Sequence, residues 1–106
     1  MLQADVWKIE GLESHRDCEA IAALTRSNRR ENVACVVLGR GADDPTVENW
    51  LGQAAGVPGY VGFAVGRTIW WDAVRGYLTE SIEREQAIRA ISGRYRRFID
   101  VYSSAE

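Results

Sequence analysis

The 106-residue chain contains one histidine, one methionine, two cysteines and two prolines. His15 with Cys18 and Cys35 cannot furnish the four ligands of a structural zinc site, so no metal centre is expected. Cys18 falls on a helical stretch and Cys35 within an apolar run. Both read as small buried hydrophobes of a reducing compartment. An excess of charge is also missing: 13 Lys and Arg against 15 Asp and Glu leave a net charge of −2. A balance so close to zero gives no general attraction to nucleic acid or to an anionic membrane. The apolar runs are short and broken by glycine or charge, which excludes a transmembrane helix. The N-terminal residues lack a signal-peptide profile, so the expected location is the cytoplasm. No Ser-His-Asp set, Walker loop or dinucleotide fingerprint occurs, and no cofactor is expected.

What is present is one pattern repeated three times: strand, polar or glycine turn, helix. Residues 4–10 alternate as a strand, with Trp7 and Ile9 on the face that packs on helices and Val6, Lys8 and Glu10 on the other. Ser14 opens a capping box, and Cys18, Ile21, Ala22 and Leu24 form the stripe of the helix that follows. Residues 33–38 are continuously apolar, as in a parallel strand covered on both faces. After Gly39-Arg40-Gly41, Asp44 and Pro45 supply the N-cap and first residue of a second helix, which Gly56 ends. Residues 60–65 form the third strand, closed by Gly66-Arg67. A short helix over 70–78 follows. A last helix starts near Glu83, with Ala87, Ile88, Ile91, Tyr95, Phe98 and Tyr102 as its apolar stripe, and frays from Ser103. The alternation predicts an α/β fold with a parallel βαβαβα sheet in one domain over 1–106, its units spanning about 4–32, 33–59 and 60–106.

Two groups of residues could carry chemistry. Lys8 stands between Trp7 and Ile9. An amine withdrawn from water favours its neutral form, which can attack a carbonyl to give a Schiff base. The same lysine could equally snorkel to solvent or pair with Glu10. Glu10, two residues on and on the same face, could orient Lys8, carry protons or serve only as its ion-pair partner. The second group is Gly39-Arg40 and Gly66-Arg67, each between a strand and a helix. Glycine admits close backbone approach to an anion, and arginine binds phosphate through two hydrogen bonds. Either pair alone is a common dipeptide; two strands ending alike favour an anion. His15, Trp50, Trp70 and Trp71 read as surface or packing residues, and Arg89, Arg94, Arg96 and Arg97 as a solvated helix face or a partner surface.

The run Gly62-Phe63-Ala64-Val65-Gly66-Arg67-Thr68, with Trp7-Lys8-Ile9-Glu10 and Tyr95-Arg96-Arg97-Phe98, resembles a known family. It is the C-terminal aldolase-like domain fused to 5-dehydro-2-deoxygluconokinases of myo-inositol breakdown. Both are more distantly similar to class I tagatose-bisphosphate aldolases. The resemblance implies the last three βα units of a (β/α)8 TIM barrel. It implies that Lys8 is the Schiff-base lysine, assisted by Glu10, and that Gly39, Arg40, Gly66 and Arg67 hold the substrate phosphate. That placement accords with the phosphate site usual beside the last two βα loops of such barrels. The implied substrate is 6-phospho-5-dehydro-2-deoxygluconate, split to dihydroxyacetone phosphate and malonate semialdehyde without a metal. The chain departs from the family in carrying only three of the eight units. Two open sheet edges and a bare face demand a partner: a second copy, or a chain with the missing strands. The rival expectations are a sugar-phosphate-binding module without turnover and a purely structural assembly piece.

Overall fold

The computed structural model describes residues 4–104, and residues 1–3, 105 and 106 lie outside this description. Three strands and four helices alternate: β1 (Val6–Ile9), α1 (His15–Thr25), β2 (Ala34–Leu38), α2 (Asp44–Ala54), β3 (Tyr60–Ala64), α3 (Arg67–Leu78) and α4 (Arg84–Ser104). The strands form one parallel sheet in the order β1-β2-β3. The α/β class and the parallel βα units are therefore as the alternation implies.

Register divides the sheet into two unlike faces. Trp7 pairs with Cys35 and Ile9 with Val37, which in turn neighbours Phe63; all of these join the core. Lys8 pairs with Val36, and Val36 with Gly62, and none of the three belongs to it. An irregularity between Cys35 and Val36 lets β3 contribute one extra residue, Val61, which is exposed. The helices supply Cys18, Val47, Leu51, Ile69 and Phe98 to one core cluster. All the helices thus cover one face. The other, carrying Val6, Lys8, Ala34, Val36, Leu38, Gly62 and Ala64, is left open.

Local signals account for the helix ends. The Ser14 hydroxyl accepts the Asp17 N–H at the start of α1. At α2 the cap lies one residue earlier than the sequence suggests. Asp43 is the N-cap, accepting the Thr46 N–H at 3.0 Å, which moves Pro45 to the second helical position. Gly56, just past the cap residue Ala55, has φ +77°, the left-handed conformation that ends helices most cheaply at glycine. The third helix begins at Arg67 rather than Trp70, because Gly66 already serves as its N-cap. At the start of α4, the Gln86 side-chain oxygen accepts the Glu83 N–H, and α4 keeps its helical form through Ser104 instead of fraying at Ser103.

The expected apolar stripes are narrower in the fold. Leu24, Ile88 and Tyr95 are exposed, whereas Ala87, Phe98 and Tyr102 are buried. Trp50 packs over Gly11 and donates its indole N–H to Glu13 at 2.9 Å. A Cβ at Gly11 would lie 1.9 Å from Trp50 Cδ2, inside a rigid ring. Gly11→Ala should therefore expel the indole and cost about 1–3 kcal/mol, the usual range for overpacking, read as a lower urea midpoint with unchanged slope.

Candidate functional site

The candidate site is the C-terminal end of the sheet, where each strand turns into its helix. Gly39 is buried there, and a Cβ on it would approach Val65 Cγ1 to 2.9 Å. Its small size keeps the ends of β2 and β3 in contact. Arg40 (φ +57°) and Gly41 (φ +70°) are both left-handed, and the Ala42 N–H donates to the Gly39 carbonyl at 2.9 Å. Two successive left-handed residues closed by such a bond make a tight turn of the type I′ kind. Glycine suits this geometry; arginine carries steric strain there, which commonly marks a side chain held for a purpose.

That purpose is visible at Glu10. Arg40 Nε donates to both Glu10 carboxylate oxygens, at 2.7 and 3.0 Å, and Nη2 donates to Oε1 as well. Glu10 thus pairs with the arginine of the neighbouring strand end, not with Lys8. The Arg40 hydrogen bonds hold the Glu10 carboxyl below its ordinary range and raise Arg40 in turn. Glu10 is therefore an anion at neutral pH, and a weaker base than a carboxylate without that partner. Its folded value lies below its unfolded one. The pair thus contributes fully above the ordinary carboxylate range and is lost as pH falls through the folded value. Arg40→Gln should return the Glu10 titration, followed by carboxyl-carbon NMR, to the ordinary range. Both partners are largely exposed, so global stability should change little.

Lys8 is exposed on the open face, two residues before Glu10 and at the same end of the sheet. The expectation of a partly buried amine is not met in the single chain, because nothing covers that face.

Arg67 and the start of α3 form the other half of the site. Gly66 offers α3 no side-chain cap; its carbonyl accepts the Ile69 and Trp70 N–H groups at 2.8 and 3.1 Å, and the amides it leaves without an acceptor are those of Arg67 and Thr68. The Arg67 guanidinium lies against Gly41, where a Cβ would meet its Cζ at 3.2 Å. Among the described residues it has no side-chain hydrogen bond or ion pair. The two turns therefore touch, and beside them opens a cleft of ≈ 760 Å³ lined by Arg67, Arg94 and Trp71 together with the carboxylates of Asp43, Asp44 and Asp72. They are not equivalent. Arg40 is committed to Glu10, and α2 begins with the carboxylates of Asp43 and Asp44, the first held ionised by Thr46. The free cation and the uncapped helix start both belong to the Gly66-Arg67 turn.

Arg94 departs from its expected place on a solvated face. It is half-buried, donates to the Thr68 carbonyl at 2.7 Å through Nη2 and pairs with Asp44. Its spacing carried the signal: Ala87, Ile91, Arg94 and Phe98 follow one helical stripe, so this arginine points where α2 and α3 pack. Trp70 and Trp71 remain exposed, with ring centroids 6.0 Å apart. His15 is exposed, its Nδ1 2.7 Å from the Gln53 carbonyl. Cys18 and Cys35 are free and buried, and burial pushes the Cys18 thiol up, away from reactivity. Among the described residues no group of His, Cys, Asp and Glu could hold a metal, and no helix is long and apolar enough to cross a membrane.

Comparison with curated proteins and with solved structures returns no match. Residues 2–106 match the family described as uncharacterized protein conserved in bacteria (DUF2090), and the chain belongs to that family.

Proposed function

We propose that the chain is the Lys8-bearing, phosphate-holding part of a Schiff-base aldolase for a phosphorylated keto sugar acid such as 6-phospho-5-dehydro-2-deoxygluconate. The observation that carries the reading is placement: Lys8 lies on the open sheet face and the Glu10–Arg40 pair just past the ends of β1 and β2, the end where Arg67 lies against Gly41. As the last three units of a TIM barrel, the chain would enclose this face on joining the remaining strands, supplied by a second copy or another chain. Covering the face takes Lys8 out of water and favours the neutral amine.

The Lys8 amine then adds to the substrate ketone and water leaves, giving a protonated imine. Glu10, an anion, takes the proton of the hydroxyl on the carbon that becomes the aldehyde. The adjoining carbon–carbon bond breaks and its electron pair passes to the imine, forming an enamine as malonate semialdehyde departs. Protonation of the enamine carbon and addition of water release dihydroxyacetone phosphate and restore the amine. Arg67 and the α3 amides hold the phosphate throughout. The protonated imine is the electron sink.

Treating the chain with dihydroxyacetone phosphate and borohydride should leave a reduced adduct on the peptide containing Lys8. Lys8 is the one lysine of the sequence, so labelling of the α-amine as readily as Lys8, or no adduct where an intact aldolase is labelled, would refute the reading. Phosphate binding without any adduct would favour the alternative of a binding module without turnover.

A further inference from the structure

We infer that Arg94 is the positioning residue that locks the two strand-end turns into a single anion cradle, an inference resting on the phosphate reading above. Arg94 lies on α4, away from both turns in sequence, yet its guanidinium reaches the first turn of each helix that follows them. Nε and Nη2 donate to the Thr68 carbonyl, at 3.2 and 2.7 Å, in the first turn of α3. Nη2 also pairs with the Asp44 carboxylate, the first residue of α2. The third side of the triangle is direct: the Thr68 hydroxyl donates to the Ala42 carbonyl at 2.5 Å. Ala42 itself closes the Gly39–Arg40–Gly41 turn, so one network spans the start of α2, the β2 turn and the start of α3.

This arrangement has two consequences for an anion. It pairs Asp44, which would otherwise add a third unpaired carboxylate to a cleft that Asp43 and Asp72 also line. It also fixes the α3 start relative to Gly41, over which the Arg67 guanidinium rests. Arginine suits the task because its planar fork presents several donors at once to a carboxylate and a carbonyl; a lysine ammonium is a point charge on a flexible stem. Arg97 provides an internal contrast. It lies one turn further along α4 and pairs with Glu48 of α2 at 2.7 Å, but touches neither strand-end turn.

The test is made on the full chain with inorganic phosphate and dihydroxyacetone phosphate as probes. Affinity is read by titration, and the turns by amide hydrogen exchange at Ala42, Ile69 and Trp70, whose N–H groups close them. Arg94→Gln should speed exchange at both turns together and weaken both probes at least about tenfold, within the hundredfold that a misplacement of about 1 Å can cost. Arg94→Lys should restore affinity only in part, and Arg97→Gln should leave exchange at the turns and affinity unchanged. Loosening of one turn alone, or unchanged affinity in Arg94→Gln, overturns the inference. So does an equal loss in Arg97→Gln, which would mark a general effect of α4 packing. If the unaltered chain binds neither probe while Arg94→Gln still frees both turns, the coupling stands and the phosphate reading fails.

Discussion

Lys8→Arg should abolish the borohydride-stable adduct with dihydroxyacetone phosphate while leaving the fold intact. The size of the effect follows from the chemistry. A guanidinium stays protonated at any usable pH and cannot form the imine, so no partial activity survives through the same route. The fold tolerates the change because Lys8 is exposed on the open face and belongs to no core cluster. Positive charge beside Glu10 is also preserved, so a loss of adduct cannot be ascribed to the Glu10–Arg40 pair. The measurements are mass spectrometry of the Lys8 peptide and a urea melt of the same sample. An adduct persisting in Lys8→Arg would locate the reactive amine elsewhere and end the case for Lys8. Lys8 is the one lysine of the sequence, so the α-amine supplies the background against which specificity is judged.

Phe98→Ala should be the most damaging single change to stability. Phe98 is the largest of the fully buried side chains, at 0% exposure, and sits in the cluster where α2, α3 and the covered sheet face converge. Truncation removes a ring's worth of burial and leaves a cavity, at a cost of about 3–5 kcal/mol. A domain of this length has only about 5–15 kcal/mol in total, so a large part of the cooperative transition is consumed. The urea midpoint should fall steeply. Tyr95, one turn earlier on α4, is the control: it is half-exposed and touches Phe63 edge-on, with ring centroids 6.0 Å apart. Tyr95→Ala should cost only about 1 kcal/mol. Equal losses at the two positions would mean that α4 packs through a different face.

Much of this architecture can be read from residue order. The apolar run at 33–38 fits a strand covered on both faces; it is β2, with Cys35 and Val37 fully buried, but Ala34, Val36 and Leu38 lie on the open face and are only partly buried. Ser14 and Gly56 announce a helix start and a helix end through backbone needs that are local. The α3 start was read three residues late because Gly66 caps the helix without a side-chain signal, and glycine reads more readily as a turn. Lys8, Glu10, Arg40 and Arg67 were identified as candidates from strand alternation and turn position. Their partners were not. Alternation puts Glu10 beside Lys8 on one face but says nothing of Arg40, whose position depends on the β1–β2 register and on a left-handed backbone. Arg94 reads from the sequence as solvated because a charge on a helix usually is.

The linear chain determined the α/β alternation, the parallel strands, the helix boundaries set by caps, and the strand ends where chemistry could gather, because each follows from interactions within a few residues. Tertiary structure alone decided that every helix packs on one side of the sheet, that Glu10 pairs with Arg40, that Arg67 lies over Gly41, and that Arg94 ties two turns together. Those contacts join residues about 26 to 50 positions apart. Only packing can bring such groups into reach, and the direction of each guanidinium depends on which neighbours have already taken the competing acceptors.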